Sequence, residues 1–388
     1  MSLSLSERLD LVPPSGIRRL FEVASRYPDA ISLGIGEPDF ETPAHIRSYA
    51  KEALDLGYTH YTPNSGLQML RDALSDKLRK ENCIEADPDR NIMVTVGANQ
   101  AVTLALAAFL RAGEEVLIPS PCFVTHKAAV TIAGGNAVDV ATDEQNGFEI
   151  TFESLNRAVT KKSRCILINS PNNPTGAVLS RKRLEEVATV AVEHDLRVIS
   201  DEVYESLVYD GHKHVSIASL EGMADRTITI NGFSKVYAMT GWRLGYLAAD
   251  QASVEKMVKL QMYLDTCPVA FAQYAAAKAL GDPRSRMAAE AMRFEYQRRR
   301  DCIYDLLKGI PQFSVSKPMG TFYIFPGIGA MDDQLFSEAV LEKAHVALVP
   351  GSTFGAAGRG HVRIAYTVAL ERLEEAMAKI TRALPEIL

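Results

Sequence analysis

No apolar run in this chain of 388 residues approaches the roughly 18 to 20 residues that cross a bilayer, so no membrane-spanning helix is expected. A basic excess is also missing. Lys and Arg total 42 against 48 Asp and Glu, a formal net charge of −6, which argues against a nucleic-acid-binding surface. Cysteine is sparse: Cys83, Cys122, Cys165, Cys267 and Cys302 are odd in number and scattered, with no CxxC pair. That argues against a disulfide framework and points to a reducing, cytoplasmic setting. The opening "MSLSLSERLD" lacks the charged-then-apolar pattern of a secretory signal. Glycine-rich nucleotide loops are absent too. "LGIGEP" begins like GxGxxG, but Asp39 stands where the third glycine belongs, and no GxxxxGK[ST] occurs. "GHKH" (211–214) offers only two histidines in an expected loop, a poor ligand set, so no metal is expected. No internal repeat or low-complexity segment is found.

What is present is the balance of a globular protein with a large core: 47% hydrophobic and 23% charged residues. Helical stretches ("HIRSYAKEALDLG", "GLQMLRDALSDKLRKE", "NQAVTLALAAFLRAG", "RKRLEEVATVAVEHD") alternate with short β-branched runs ("NIMVTVG", "EEVLIPS", "SRCILINS", "LRVISD", "RTITING"). Such alternation predicts an α/β fold with a mostly parallel sheet covered on both faces. Beyond residue 283 a long charged helix and shorter elements predict a smaller α+β domain. The expected organisation is an N-terminal segment, 1–45, joining that small domain; a large domain, 46–282; and a small C-terminal domain, 283–388.

Ligands of open α/β sheets bind beyond the carboxyl ends of the strands. Read there, the sequence places Gly97, Ala98 and Asn99 entering a helix, whose free amides suit a phosphate. The other strand ends carry Cys122 and Phe123; Asn169, Asn172 and Asn173 in "NSPNNPTG"; Asp201 and Tyr204; and Ser234 and Lys235. Each alone has a plainer explanation. Asn-Pro-Thr-Gly is a common turn, Asp201 could cap a helix, Phe123 and Cys122 could be packing, and Lys235 could snorkel to the surface. Their convergence on one crevice is what a pyridine ring bearing an aldehyde and a phosphate would use. An amine forms a Schiff base, a carboxylate pairs with the ring nitrogen, a phenol and an amide meet the ring oxygen, and an aromatic ring stacks. Arg243, with its planar fork, and the Gly97–Asn99 turn suit the phosphate.

With "SLGIGEPDF" (32–40), "HYTPNSGLQMLR" (60–71), "NSPNNPTG", "SDEVYE", "NGFSKVYAMTGWRLGY" (231–246) and "HVRIAYT" (361–367) in this order, the chain resembles the class I/II aminotransferases. These are fold-type I enzymes using pyridoxal 5′-phosphate, with a seven-stranded, mostly parallel sheet. "PPSGIRR" near the N-terminus is similar to the archaeal-type aromatic/aspartate members. The resemblance implies that Lys235 is the Schiff-base lysine and proton shuttle, that Asp201 pairs with the pyridine nitrogen, and that Tyr204 and Asn173 bond the ring oxygen. It further implies that Phe123 stacks on the ring, and that Tyr61 reaches the phosphate of a second subunit in a homodimer with shared sites. Arg363 would bind the substrate α-carboxylate, helped by Gly36 and Asn173.

Two departures stand out. Gly232 occupies a position where many relatives carry a phosphate-binding serine, so Ser234, Asn99 or backbone must compensate. No second arginine for a side-chain carboxylate can be placed, with Arg18 and Arg19 as candidates. The expected activity is amino transfer from an aromatic amino acid, glutamate or aspartate to 2-oxoglutarate or a related 2-oxo acid, in two half-reactions. The alternatives are a β-lyase on the same scaffold, a strictly aspartate-specific transaminase, and a non-catalytic regulator. The last is disfavoured because no room remains for a DNA-binding domain.

Overall fold

The computed structural model describes residues 10–12, 16, 23–24 and 26–387. Twelve strands occur among them: β1 (Ile31–Ser32), β2 (Ile92–Thr95), β3 (Glu115–Ser120), β4 (Asn136–Ala141), β5 (Ser163–Asn169), β6 (Arg197–Asp201), β7 (Thr227–Gly232), β8 (Gly245–Ala248), β9 (Tyr323–Ile324), β10 (Val346–Ala347), β11 (Val349–Pro350) and β12 (Val362–Ala365). Seven form one sheet in the order β2-β8-β7-β6-β5-β3-β4. β4, β3, β5, β6 and β7 run parallel, whereas β8 is antiparallel to both β7 and β2.

The five runs read as strands all lie in this sheet. β4 and β8 escaped that reading for physical reasons. β4 is an edge strand with only Val140 fully buried, so its apolar signal is weak. β8, "GYLA", is short, and two of its four residues are small.

Central strands are buried on both faces, which is why they read as continuous apolar runs. Met93, Val116, Ile118, Leu167, Ile199, Ile228, Ile230 and Leu247 meet the helices Ala98–Phe109 and Gln251–Leu264 in one cluster. Leu117, Ile166, Ile168 and Val198 meet Arg181–Glu193 in another. Local chemistry sets the helix starts. Asp250 accepts from Ser253 N, and Asp282 accepts from Arg284 N ahead of Pro283 at the head of the helix Pro283–Lys308.

The shorter strands belong elsewhere. β11, β12 and β9 make a three-stranded antiparallel sheet, and β1 pairs in parallel with β10, which ties the N-terminal segment to the elements near residue 346. The helix Leu370–Ile387 covers them, burying Leu373, Met377, Ile380 and Leu384 along one face. No helix among the described residues is long and apolar enough to cross a membrane.

β7 carries the segment on which the site depends. Ile230, two residues before its end, is fully buried. Ile230→Ala should lower unfolding stability by about 2–5 kcal/mol through lost contact and the cavity left behind, measured by chemical denaturation; a loss below about 1 kcal/mol would mean that the strand is not packed as described.

Candidate active site

β5, β6 and β7 end side by side, with Asn169 opposite Asp201 and Asp201 opposite Ile230. The segments leaving these strand ends therefore converge on one crevice. After β7 the chain turns at once into the short helix Phe233–Val236, which raises Lys235 over the sheet edge. Its Nζ donates to Gly36 O at 2.7 Å and lies 5.9 Å from the Tyr204 ring centroid and 5.5 Å from that of Phe322. Burial disfavours the ammonium and pulls the Lys235 pKa down to about 8; Glu37 opposes this, while Arg363 and Arg243 reinforce it.

Asp201 is buried, and both of its oxygens are engaged. Oδ1 accepts from Val203 N at 3.3 Å, and Oδ2 meets His126 Nε2 at 3.0 Å. Sequence reasoning missed His126. The available signal was its place three residues after Phe123, at the start of the helix Val124–Ile132 that follows β3. The two rings pack edge to face at 5.6 Å, so Phe123 and His126 form one wall.

Asn173 is fixed by its backbone N, which donates to Asn169 Oδ1 at 2.9 Å, and its own Oδ1 accepts from Arg363 Nη1 at 2.9 Å. Arg363 Nη2 donates to Gly34 O at 2.7 Å, and the guanidinium lies over the rings of Tyr323 (4.4 Å) and Phe354 (4.9 Å). Arg363 is 1% exposed and Nε has no hydrogen-bond partner among the described residues. No carboxylate among them pairs with it. Burial lowers its pKa from the usual guanidinium range.

The phosphate-like corner is built from close backbone approach. Gly97, with φ +76°, starts the helix Ala98–Phe109, and no side chain caps the leading amides. A Cβ at Gly97 would stand 2.5 Å from Arg243 Nη2, and one at Gly245 would stand 2.7 Å from Ala98 N. Only a side-chain-free backbone lets Arg243 and the helix start face the same point. Asn99 is exposed there and Ser234 half-buried. Gly232 is tightly flanked: a Cβ would sit 3.1 Å from Leu244 O, just ahead of β8. The residues present fit the phosphate, the ring and the aldehyde of pyridoxal 5′-phosphate, each with a matching polar group in reach of the crevice.

Tyr61 stands apart. It is 87% exposed in the single chain. Arg18 and Arg19 lie outside the described residues. Cys122 is buried, with its thiol pushed up to about 12 by burial, so it serves packing. Glu202, Glu205 and His214 bring donor atoms within 4.8 Å of one another. Those atoms already have partners: His214 Nε2 meets Glu202 Oε2 at 2.9 Å, Ser200 and Ser216 donate to Glu202 Oε1, and Lys77 Nζ pairs with Glu205. A cavity of about 1080 Å³ lined by Val124, Thr125, Thr353 and Phe354 contains none of the predicted site residues and does not mark the chemistry.

This arrangement is that of a fold-type I pyridoxal-phosphate enzyme, and comparison with known proteins agrees. The profile of "Aminotransferase class I and II" matches residues 28–380. An aspartate aminotransferase of Pyrococcus abyssi is 58% identical over 99% of both chains, and an aromatic-amino-acid aminotransferase of Thermococcus litoralis is 56% identical over 99% of both. The crystal structure of an aromatic aminotransferase from Pyrococcus horikoshii superposes with a TM-score of 0.94, at 56% identity and 99% coverage of both chains. The chain belongs to the class I and II aminotransferase family. It moves an amino group between amino and 2-oxo acids, with pyridoxal 5′-phosphate as cofactor.

The lowered Lys235 pKa makes a direct prediction. In the cofactor-free protein, a limiting amine reagent read by peptide mass spectrometry should modify Lys235 with a midpoint near pH 8. Glu37→Gln should move that midpoint lower still, because it removes an anion that favours the ammonium. A midpoint near about 10.4, the ordinary lysine value, would contradict the burial argument.

Proposed function

We propose that Lys235 bonds the cofactor aldehyde, Asp201 faces the pyridine nitrogen, Tyr204 and Asn173 face the ring oxygen, and Phe123 lies against the ring. The amides of Ala98 and Asn99, admitted by Gly97, take the phosphate together with Ser234 and Arg243. Bound there, the cofactor supplies an electron sink for the substrate's α-carbon. The protein supplies the rest. Asp201, steadied by His126, keeps the ring nitrogen protonated, because a buried cation needs a carboxylate beside it. Lys235, whose ammonium form burial disfavours, is the group placed to move a proton at the substrate's α-carbon.

Arg363 is the observation that carries the substrate assignment. A guanidinium buried to 1% exposure, held only by neutral oxygens and ring faces, lacks the anion that buried cations require. A substrate α-carboxylate supplies it, and the fork of Arg363 suits that group in a two-point contact. The same neutral setting gives no reason to select one side chain. The donors proposed are aromatic amino acids, glutamate and aspartate, and the acceptor 2-oxoglutarate or a related 2-oxo acid, in a two-step exchange. The two relatives named for aspartate and for aromatic amino acids, at nearly equal identity, support that breadth.

We further propose a large domain over residues 46–282 and a small one over 283–388 joined by 1–45, the small one closing on the substrate to exclude water. The protein acts as a homodimer, with Tyr61 completing the phosphate site of the second copy. Tyr61 is exposed, as are the apolar side chains of Met262, Tyr263, Leu264 and Val269, and its loop is bonded to the segment between theirs through Thr62 N to Cys267 Sγ and Asn64 Nδ2 to Thr266 O. Five free cysteines support a cytoplasmic location.

A panel of amino donors with 2-oxoglutarate tests the reading. Aromatic and dicarboxylic donors should both turn over, with parallel lines in double-reciprocal plots, and Arg363→Lys should raise KM for every donor alike by about tenfold or more, about 1.4 kcal/mol. An effect confined to dicarboxylic donors would make Arg363 a side-chain reader. Turnover without any 2-oxo acid would favour a lyase. Sedimentation at micromolar concentration should give a dimer, whose interface is expected to bury more than about 2,000 Å²; a fully active monomer would refute the shared site.

A further inference from the structure

Tyr323 carries no mark in the sequence, yet it touches three parts of the site at once. It lies on β9 with 1% exposure, and pairing with Ala365 on β12 fixes its height beside the Arg363 strand. Its hydroxyl is 3.1 Å from the Tyr204 hydroxyl, and the two rings meet nearly at right angles, 5.9 Å apart. Its ring carries the Arg363 guanidinium 4.4 Å from the centroid. It also presses on the loop that holds Lys235: a Cβ at Gly36 would stand 2.1 Å from the Tyr323 hydroxyl, and Gly36 O accepts from Lys235 Nζ.

Proton counting gives the pair a direction. Burial holds both phenols protonated, so each hydroxyl has one hydrogen to give. If Tyr204 gives its hydrogen to Tyr323, nothing remains for the cofactor ring oxygen. If Tyr323 gives to Tyr204, the Tyr204 hydrogen is free to point into the crevice, and the bond it receives makes it a stronger donor. Among the described residues no other hydrogen-bond partner of the Tyr323 hydroxyl is found, so the second direction leaves no donor wasted.

The geometry points to Tyr323 as a positioning residue that couples the two ends of the bound substrate–cofactor pair: its hydroxyl fixes Tyr204 as a donor to the ring oxygen, and its ring supports the carboxylate-binding face of Arg363. This rests on the roles proposed above for Tyr204 and Arg363. It places a link between the carboxylate subsite and the ring oxygen in one side chain of the smaller sheet. A donor bond to the ring oxygen favours its deprotonated form. The pH midpoint of the cofactor's visible absorption in the loaded protein therefore reports the hydroxyl, and KM reports the ring.

Tyr323→Phe removes the hydroxyl and keeps the ring. In the loaded enzyme it should raise the spectral midpoint by about half a pH unit or more. It should lower kcat several-fold and leave KM for all donors within about twofold. Tyr323→Leu should add a rise in KM of about tenfold for every donor. Equilibrium titration of the cofactor-free proteins with pyridoxal 5′-phosphate should show weaker binding for both. Gly36→Ala, whose methyl displaces the hydroxyl, should shift the midpoint in the same direction and keeps the test open if either Tyr323 variant fails to fold. The double variant Tyr204→Phe/Tyr323→Phe should shift no further than Tyr204→Phe alone.

A wild-type midpoint in both Tyr323→Phe and Gly36→Ala, or additive shifts in the double variant, would overturn the coupling while leaving the Tyr204 assignment standing. An unmoved midpoint in Tyr204→Phe would overturn both. A KM rise in Tyr323→Phe equal to that in Tyr323→Leu would remove the division of labour between hydroxyl and ring.

Discussion

A buried positive charge with no negative partner among the described residues governs this molecule. Arg363 sits on a strand of the smaller antiparallel sheet, yet it reaches the Asn173 side chain beyond β5 and the Gly34 carbonyl of the N-terminal segment. Three separate stretches of chain thus converge on one guanidinium and offer it only neutral groups. Stacked ring faces and carbonyl dipoles make the charge tolerable without neutralising it. That incomplete solvation leaves the guanidinium open to an anion, which is the basis of the carboxylate role proposed for Arg363.

The second organising element is the turn after β6. Asp201 and Tyr204 face the crevice, whereas Glu202 and Glu205 turn away into a buried network with His214, Lys77, Asn82, Ser200 and Ser216. Burial works against the charges of Lys77, Glu205 and His214, but the pairing prevails. Lys77 holds Glu205 below its ordinary range, and Glu202 holds His214 above its own. The segment 201–205 therefore displays two functional groups and is anchored from behind.

Much of this is legible in the sequence. Lys235, Asp201, Asn173 and the Gly97 turn stand out because each closely follows a strand, and strands buried on both faces are strongly marked in sequence. Other features leave no such mark. β4 is an exposed edge and β8 a short run with two small residues, so neither has the apolar density of a central strand. His126 lies in the first turn of a helix, where a buried histidine looks like packing until the Asp201 contact is seen. Tyr323 lies in an aromatic-rich stretch, "TFYIF", in which nothing distinguishes the ring under Arg363 from the core rings beside it. Arg363 itself is placed by family resemblance; its missing counter-charge is visible only in three dimensions.

At Gly232 a neighbouring segment of backbone sets the space beside the site. A Cβ there would stand 3.1 Å from the carbonyl of Leu244, so a larger residue needs a shift of a few tenths of an ångström from the chain leading into β8. That segment runs directly into Gly245, where a Cβ would stand 2.7 Å from Ala98 N at the start of the helix Ala98–Phe109. Adjustments at Gly232 and at that helix start are therefore mechanically linked.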